Sequence, residues 1–386
     1  MKKILVVFGT RPEAIKMVPI VKYIKTEGRN LSVKVCVTAQ HRNLLDDVLK
    51  IFHIRPDYDL NIMTENQSLF NITTSIMNKI ESVLIKEKPD LVLVHGDTTT
   101  TFVAALASFY MKIPIGHVEA GLRSNNKYNP FPEEMNRLLT DEICDLYFCP
   151  TINAKKSLIK ENINKNKIFI TGNTVIDAIY TVLKKNYIVE NKIVKKILES
   201  DSKVILITAH RRENFGRPIE NICNAIKRIA FKYPDYTLVY PVHPNPNIKK
   251  PVNKILDNIK NIYLLPPLNY FDFSKIMKKA FLVLTDSGGL QEEAPSLGKP
   301  VLVLRQVTER PEAVKSGTAK IIGTDENRVY NETVRLIKNK KNYNKMAKSI
   351  NPYGDGLASK RTVEIIKYYF GLANKKPGEF TPSHDN

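Results

Sequence analysis

Three acidic side chains in the first half of the sequence stand at or just after the ends of predicted strands. Asp97 follows the apolar run Leu91–His95, and Glu119 follows Ile115–Val118. Glu133 begins a predicted helix. Because the carboxyl ends of parallel strands meet at one edge of a sheet, we expect these carboxylates to lie close together. Helix capping explains Asp97 or Glu133 singly, but three gathered carboxylates indicate acid–base chemistry.

The position of Glu119 sets a condition on its neighbours. A carboxylate at the tip of a buried strand is costly unless its charge is paired. Arg123, four residues further on, or a ligand could supply the positive charge.

A turn rich in hydrogen-bond donors follows the first predicted strand, Ile4–Phe8. It reads Gly9-Thr10-Arg11-Pro12, and Lys16 comes soon after. Glycine permits a tight turn, proline suits the first turn of a helix, and the N–H groups of a helix start can bind an anion. Arg11 and Lys16 would complement a phosphate there, although an ordinary strand–helix turn with exposed basic residues accounts for the same pattern.

The second half of the sequence carries matching anion-binding features. His210 follows the run Val204–Thr208, and the turn Asp286-Ser287-Gly288-Gly289 follows Phe281–Thr285. This turn is neither a P-loop nor the dinucleotide-binding glycine pattern, but its amides and hydroxyl could hold a phosphate at a helix N-terminus. The basic side chains that would join it are Arg211, Arg305 and Arg310.

Short β-branched runs alternate with amphipathic helical stretches along nearly the whole chain, which predicts α/β domains with doubly wound parallel sheets. The remaining predicted strands are Val33–Thr38, Leu146–Cys149, Ile168–Ile170, Thr237–Tyr240, Tyr263–Leu265, Val301–Leu304 and Ile321–Ile322. A chain of 386 residues exceeds the roughly 250–300 residues of a single core. We therefore predict domains at 1–180 and 181–358, a last helix at 359–372, and a disordered tail at 373–386.

The composition narrows the class of protein. No apolar run approaches the roughly 18 residues of a membrane span. The four cysteines lack CxxC spacing, which favours buried free thiols in a reducing, cytoplasmic setting. The formal net charge of +20 invites a nucleic-acid interpretation, yet the lysines are scattered and no RNP-like, zinc-finger or arginine-rich pattern is present. A solvated lysine surface explains the charge, so we expect no nucleic-acid partner.

Taken together, the motifs resemble one known family, the non-hydrolysing UDP-N-acetylglucosamine 2-epimerases. The resemblance runs from about Lys2 to Phe370. The motifs that carry it, in chain order, are Gly9-Thr10-Arg11-Pro12-Glu13, Gly96-Asp97-Thr98, His117-Val118-Glu119-Ala120-Gly121-Leu122-Arg123, Pro132-Glu133-Glu134, Asn136-Arg137, His210-Arg211-Arg212-Glu213-Asn214, Asp286-Ser287-Gly288-Gly289, Gln291-Glu292-Glu293 and Thr308-Glu309-Arg310-Pro311-Glu312.

The resemblance implies a GT-B-like fold, with two Rossmann-like domains around an interdomain cleft, a homodimer, and a last helix that crosses back to the first domain. It also implies reversible conversion of UDP-GlcNAc to UDP-ManNAc, through elimination of UDP to 2-acetamidoglucal and re-addition, in support of polysaccharide biosynthesis. The family needs neither a nicotinamide cofactor nor a metal.

The resemblance also assigns site residues. Asp97, Glu119 and Glu133 match the acid–base group, with the residue that removes the C2 proton left open. His210 matches a catalytic histidine near the diphosphate. The positions implied to contact the diphosphate, the ribose and nearby parts of the substrate are Arg11, Ser287, Gly288 and Gly289 for the diphosphate, Glu293 for the ribose, and Lys16 and Arg310 near the substrate.

A second, allosteric site for UDP-GlcNAc occurs in many bacterial members of the family. Gln40, His41 and Arg42 match part of its pattern, and His243 matches another part. Asn43 departs from the longer Glu or Gln that the family often has at its position.

Three other functions are compatible with parts of the sequence. A hydrolysing epimerase would release free ManNAc, and a GT-B glycosyltransferase would move the sugar to an acceptor without changing C2. A nucleic-acid-binding protein would account for the charge alone.

Overall fold

Two all-parallel β-sheets organise the chain, as the alternation of apolar runs and amphipathic helices predicted. The computed structural model describes residues 1–39, 42–63, 67–185, 187–189 and 191–383, apart from the side chains of residues 42–44. The described chain divides into two units, one formed by Met1–Thr181 with Tyr353–Thr381 and the other mainly by Val182–Pro352.

The first unit has a seven-stranded sheet of order β3-β2-β1-β4-β5-β6-β7. Its strands are β1 (Lys2–Phe8), β2 (Leu31–Val37), β3 (Tyr58–Asp59), β4 (Leu91–His95), β5 (Ile115–Val118), β6 (Leu146–Cys149) and β7 (Ile168–Ile170). The helices between and after them are α1 (Arg11–Glu27), α2 (Arg42–Phe52), α3 (Leu69–Glu87), α4 (Thr99–Tyr110), α5 (Glu133–Ile143), α6 (Ile152–Lys160) and α7 (Thr174–Lys184).

The second unit has a six-stranded sheet of order β10-β9-β8-β11-β12-β13. Its strands are β8 (Lys203–Thr208), β9 (Tyr236–Pro241), β10 (Ile262–Leu265), β11 (Ala280–Thr285), β12 (Val301–Val303) and β13 (Ala319–Ile321). The remaining helices of the chain, in order, are α8 (Lys192–Glu199), α9 (Arg217–Lys232), α10 (Pro246–Leu256), α11 (Tyr270–Lys279), α12 (Gly288–Ser296), α13 (Pro311–Ser316), α14 (Glu326–Lys338), α15 (Lys340–Ala347) and α16 (Ala358–Tyr369). The last of them, α16, belongs to the first unit.

The two sheets share one topology. In each, the first strand of the unit is an interior strand, third from one edge, and the strand order runs outward from it in both directions. The order therefore reverses between β1 and β4 in the first sheet and between β8 and β11 in the second. Ligands of open α/β sheets bind beyond the strand ends at such a switch point. The β1, β4, β8 and β11 turns are where the sequence places its candidate residues.

The predicted strands are confirmed, with end points shifted by at most two residues. The sequence missed β3, which has only two residues and lies at the edge of its sheet. The strands are almost wholly buried, as expected for parallel sheets covered on both faces. All four cysteines are buried and unpaired, and burial raises the pKa of Cys36 and of Cys223 to about 12.

Helix α16 packs within the first unit. Its Lys367 Nζ donates to the Glu27 carbonyl at the end of α1 (3.0 Å), and Asp177 of α7 accepts the N–H of Ser359 (2.8 Å). The return to this unit begins earlier than residue 359, because Asn173 donates its N–H to the carbonyl of the buried Tyr353 (2.6 Å).

The segment that we expected to be disordered begins at residue 373, and its described part, up to residue 383, contacts the first unit at two points. Phe380 is only 4% exposed, and its N–H donates to the Ile170 carbonyl at the end of β7 (2.7 Å). Lys155 of α6 forms an ion pair with Glu379 (2.7 Å). The polar, proline-containing sequence of this segment did not indicate that Phe380 would be buried. Among the described residues, no helix is both long and apolar enough to span a membrane.

The tail can be tested through its anchor. Replacing Phe380→Ala removes a buried ring, so we expect the first unit to lose about 3 kcal/mol of unfolding free energy. Denaturant unfolding would measure this loss. Phe231→Ala is the matched control, because Phe231 is 67% exposed and its loss should leave the midpoint unchanged. Equal effects of the two substitutions would contradict an anchoring role for Phe380.

Candidate functional site

The turn after β1 contains a glycine, Gly9, at a position where a Cβ would force neighbouring side chains to move. A Cβ at Gly9 would lie 2.1 Å from Thr38 Oγ1 and 2.5 Å from Thr100 Oγ1, which is closer than any real contact. Those two hydroxyls bond to each other at 2.9 Å. The turn therefore runs close to the residue after β2 and the start of α4.

Glu13 holds this turn in place. Its carboxylate is 2% exposed and accepts the N–H groups of Gly9 (3.1 Å) and Thr10 (2.8 Å) through Oε2. Its Oε1 accepts the hydroxyls of Thr98 (2.7 Å) and Thr101 (3.2 Å). One buried carboxylate thus ties the β1 turn to the β4 turn across the switch point. Glu13 ends the motif Gly9-Thr10-Arg11-Pro12-Glu13, but the sequence did not lead us to predict a role for it in the site.

Glu119 occupies a backbone conformation that few side chains adopt. Its φ is +66°, in the left-handed region, and such conformations cost about 1–3 kcal/mol and concentrate at functional sites. The N–H of Glu119 donates to the Phe148 carbonyl (3.0 Å), which ends the strand pairing at this point. This backbone turn directs the Glu119 carboxylate away from the hydrogen bonds between the strands.

The partner of Glu119 is Lys16, not Arg123. Lys16 Nζ forms an ion pair with Glu119 Oε2, and Asn173 Nδ2 donates to the same oxygen (2.8 Å). His95 Nε2 lies 3.5 Å from it. Arg123 instead bonds Asp141 (2.7 Å) and Glu161 (2.6 Å). The left-handed backbone explains the difference, because it directs Glu119 toward α1 and the residue after β7.

Asp97 and Glu133 are connected through helix α5. Arg137 forms an ion pair with Asp97 Oδ2, and Asn136 Nδ2 donates to the Asp97 carbonyl (2.9 Å). Glu133 is the first residue of α5, one turn before these two, and is partly buried. These links place Asp97 beside the helix that Glu133 begins, and the gathering of all three acids stays a prediction.

The neighbour of Glu133 has a structural role. Glu134 accepts the N–H groups of Ser124 and Asn125 (both 2.9 Å) and pairs with Arg137 (2.7 Å). Glu134 thereby fixes the loop before α5, which leaves Glu133 as the acid at the helix start. Asn173 and Arg137 are functional candidates that the sequence reading missed. Arg137 could have been found from its spacing, one helical turn after Glu133.

In the second unit, Asp286 plays the part that Glu13 plays in the first. Its Oδ2 accepts the N–H groups of His210 and Arg211 (both 2.7 Å) and Asn214 Nδ2 (2.9 Å). Asp286 is fully buried, and its Oδ1 lies 3.5 Å from His210 Nδ1. The β8 turn is therefore tied to the β11 turn, and the His210 ring stays partly exposed above it.

His243 lies beside the candidate catalytic histidine. The rings of His210 and His243 stack with centroids 5.7 Å apart and an interplanar angle of 15°. Of the other residues matched to an allosteric site, Gln40 and His41 lie outside the described residues. Arg42 begins α2, and its side chain also lies outside the described part of the chain.

Ser287 caps helix α12, with Gly288 and Gly289 as its first two residues. The N–H of Ser287 donates to Thr285 Oγ1 (2.9 Å). A helix start that carries no side chains on its first two residues lets a ligand approach the backbone N–H groups closely. The predicted anion-binding turn has this form.

The three arginines that we expected to join the anion-binding turn lie close to acids, which the sequence did not indicate. Arg310 Nε bonds Glu292, and Arg305 Nε bonds Glu213 (2.6 Å). Arg211 Nη1 lies 4.0 Å from Glu309. Each arginine therefore brings much less net charge to an anion than a count of cations suggests.

Glu293 lies on the same helix, one turn after the glycines. Its Oε2 accepts the hydroxyl of Tyr270 (2.9 Å), and burial followed by the charge of Glu293 raises the pKa of Tyr270 well above its ordinary value. Tyr270 stays a hydrogen-bond donor as a result, and it fixes one oxygen of Glu293. Tyr270 was not among our site residues, and no sequence signal distinguished it.

The role of Glu13 gives a direct test of the first turn. In Glu13→Gln, the side-chain NH2 group faces either the two backbone N–H groups or the two threonine hydroxyls. Backbone N–H groups cannot accept a hydrogen bond, so only the hydroxyls can adapt, by turning to accept one. We expect a loss of about 1–3 kcal/mol in unfolding free energy, measured with denaturant. Glu27→Gln, on an exposed position of the same helix, is the control and should be neutral. A neutral Glu13→Gln would contradict the role of Glu13 in the turn.

Comparisons with known proteins agree with these features. The sequence profile of the UDP-N-acetylglucosamine 2-epimerase family matches residues 24–367. UDP-N-acetylglucosamine 2-epimerases of Campylobacter jejuni and Escherichia coli K12 are 53% and 51% identical to the chain. The alignments cover 95% of this chain in both cases, and 97% and 98% of those proteins.

A solved structure extends the similarity to the fold. The UDP-GlcNAc 2-epimerase from Neisseria meningitidis, crystallised with UDP-GlcNAc, has a TM-score of 0.86 and 51% identity, and the match covers 95% of this chain and 100% of that one. The GT-B-like class, with two Rossmann-like units, is thereby confirmed. On the profile match and these relatives, the chain belongs to the UDP-N-acetylglucosamine 2-epimerase family.

Proposed function

We propose that this protein interconverts UDP-GlcNAc and UDP-ManNAc by eliminating UDP and adding it back, without hydrolysis. The observation that carries the proposal is Glu119, a mostly buried carboxylate that a left-handed backbone and Lys16 hold at the carboxyl end of β5. The Neisseria relative, 51% identical, binds UDP-GlcNAc, which supports the choice of substrate.

The chemistry explains why the site needs acids. C2 of the sugar has no neighbouring carbonyl, so its proton is not acidic in the ground state. When the C1–O bond breaks, its electron pair leaves with UDP and C1 gains oxocarbenium character. A carboxylate then takes the C2 proton, and the C–H electrons form the C1=C2 bond of 2-acetamidoglucal. Re-addition of UDP to C1 and of a proton to the other face of C2 completes the epimerisation.

The first unit supplies the acid–base groups. Asp97, Glu119 and Glu133 are the carboxylates that stabilise positive charge at C1 and exchange the C2 proton, and which one acts as base is left open. Negative charge fixed in a buried site acts strongly on a developing cation, because little solvent screens it. Lys16 and Arg137 hold Glu119 and Asp97 in defined positions, so no reorganisation is needed during the reaction.

The second unit holds the nucleotide. Ser287, Gly288 and Gly289 offer a hydroxyl and backbone donors to the diphosphate. Arg310 adds a positive charge, part of which its ion pair with Glu292 offsets. Glu293, with one oxygen fixed by Tyr270, accepts hydrogen bonds from the ribose hydroxyls. Glycines at this helix start favour a ligand whose oxygens approach the main chain.

Two side chains complete the contacts with the leaving group. His210, partly exposed above its turn, assists the departing diphosphate. Arg11, at the start of α1 in the first unit, is the cation that this unit provides for the diphosphate.

Regulation and assembly follow the family pattern in this proposal. The enzyme is a homodimer, and a second UDP-GlcNAc acts as an allosteric activator. His243 stacks on His210, so a ligand that moves His243 would alter the position of the catalytic ring. This contact is the physical support for regulation.

Isotope exchange tests the reaction. With UDP-GlcNAc in deuterium oxide, we expect deuterium at C2 of both UDP-ManNAc and recovered UDP-GlcNAc, because the glucal is protonated from exchangeable acids. NMR of the mixture measures it. Free ManNAc without UDP-ManNAc would favour a hydrolysing enzyme, and unlabelled C2 throughout would contradict elimination.

Substitution tests the residue assignments. Asp97→Asn, Glu119→Gln, Glu133→Gln and His210→Ala should each lower kcat by about 100-fold or more, the scale of general acid–base catalysis. Circular dichroism would verify the fold of each variant. Glu142→Gln, at an exposed position of α5, is the control and should keep its kcat. Near-normal turnover in all four variants would refute the assignment.

A further inference from the structure

His117 is a fully buried histidine whose ring bonds two acceptors. On β5, its Nδ1 lies 2.6 Å from Asp141 Oδ1, and its Nε2 lies 2.8 Å from the Gly96 carbonyl oxygen. A backbone carbonyl can only accept a hydrogen bond, and an ionised carboxylate likewise. For both bonds to form together, both ring nitrogens must donate, and a ring that donates from both nitrogens is an imidazolium cation.

The surroundings of His117 compensate this buried charge. Asp141 also accepts Arg123 Nη2 (2.7 Å), and Arg123 pairs with Glu161 (2.6 Å). Burial raises the pKa of Asp141, but the charges of His117 and Arg123 outweigh it and hold that pKa below its ordinary value. Two cations and two anions thus form a neutral cluster, which is the condition for keeping an ion inside a protein.

The neutral groups around Asp141 leave this charge balance intact. Tyr147 donates its hydroxyl to the backbone carbonyl of Asp141 (2.6 Å), and burial raises the pKa of both Tyr147 and Cys144. Neither side chain therefore contributes a charge of its own.

The cluster contacts the segments that carry all three acids. Gly96, which accepts from His117, directly precedes Asp97. The N–H of Gly121 donates to Asp141 Oδ2 (3.3 Å) two residues after Glu119. Asp141 itself lies on α5, two turns after Glu133. One carboxylate and one ring therefore connect the β4 turn, the β5 turn and the helix of the third acid.

We propose that His117, held as an imidazolium by Asp141, is a positioning residue that keeps the segments of Asp97, Glu119 and Glu133 in register. Neither His117 nor Asp141 touches the substrate. An uncharged imidazole could keep only one of its two bonds, so it would release either the Gly96 carbonyl or Asp141. The inference rests on the proposed function insofar as those acids are the catalytic ones.

The charge of His117 can be measured without turnover. In protein labelled with 15N-histidine, both nitrogens of His117 should show the shifts of a protonated ring at pH 7.5, with the resonance assigned by its loss in His117→Gln. A neutral tautomer at that pH would overturn the proposal. The measurement uses the wild-type protein, so it does not depend on the folding of a destabilised variant.

Kinetics test the positioning role. Asp141→Asn removes the counter-ion, so His117 should become neutral and kcat should fall about 100-fold, the scale of a 1 Å misplacement. KM should change less than about threefold, because the nucleotide is held by the second unit. The readouts are the kcat and KM values together with the 15N shifts of the variant. An unchanged kcat, or a neutral ring with full activity, would overturn the proposal.

A matched control separates positioning from stability. Asp90 also accepts a backbone N–H, from Lys3 (2.8 Å), and pairs with a lysine, Lys2 (2.8 Å), but it lies at the opposite edge of the same sheet. Asp90→Asn should lose stability and keep kcat. Equal losses of kcat in both variants would refute the specific role of Asp141. Absence of C2 exchange in the wild type would refute the proposed function alone, since the ring charge is read independently.

Discussion

The structure depends on one constraint, which is that a carboxylate buried at a switch point must accept hydrogen bonds from the turns around it. In the first unit Glu13 accepts two N–H groups of the β1 turn and two hydroxyls of the β4 turn. In the second unit Asp286 accepts two N–H groups of the β8 turn and the amide of Asn214. Each acid joins the two strands between which the strand order reverses. Because a buried carboxylate without hydrogen bonds is costly, these bonds favour one geometry for each turn.

The same constraint explains why net charge is a poor guide to this protein. The chain carries a formal charge of +20, yet the charges that matter are in close pairs: Lys16 with Glu119, Arg137 with Asp97, and Arg310 with Glu292. A pair fixes the position of both partners and contributes little long-range field. Scattered surface lysines account for the excess, and they interact weakly through water and salt.

Much of the fold and the place of the site could be predicted from the sequence, because both depend on local patterns. Apolar runs such as Leu91–His95 mark buried strands, and the residues after them must lie at the carboxyl edge. Partner choice could not be predicted in this way. Whether Glu119 meets Lys16 or Arg123 depends on its left-handed φ and on residues about 100 positions away. The burial of Phe380 could not be predicted for a similar reason, because it depends on a cavity that distant parts of the chain form around the ring.

In the proposed function, the two units apply one topology to two different chemical tasks. The first fills its strand ends with charged side chains that are held in place by partners, which suits proton exchange and the stabilisation of a cation at carbon. The second has Ser287, Gly288 and Gly289 at the start of a helix, where a ligand can approach the backbone N–H groups, which suits the oxygens of a diphosphate. Because each unit has its own set of strand ends, the proposed acids and the proposed anion-binding turn are built on separate sheets.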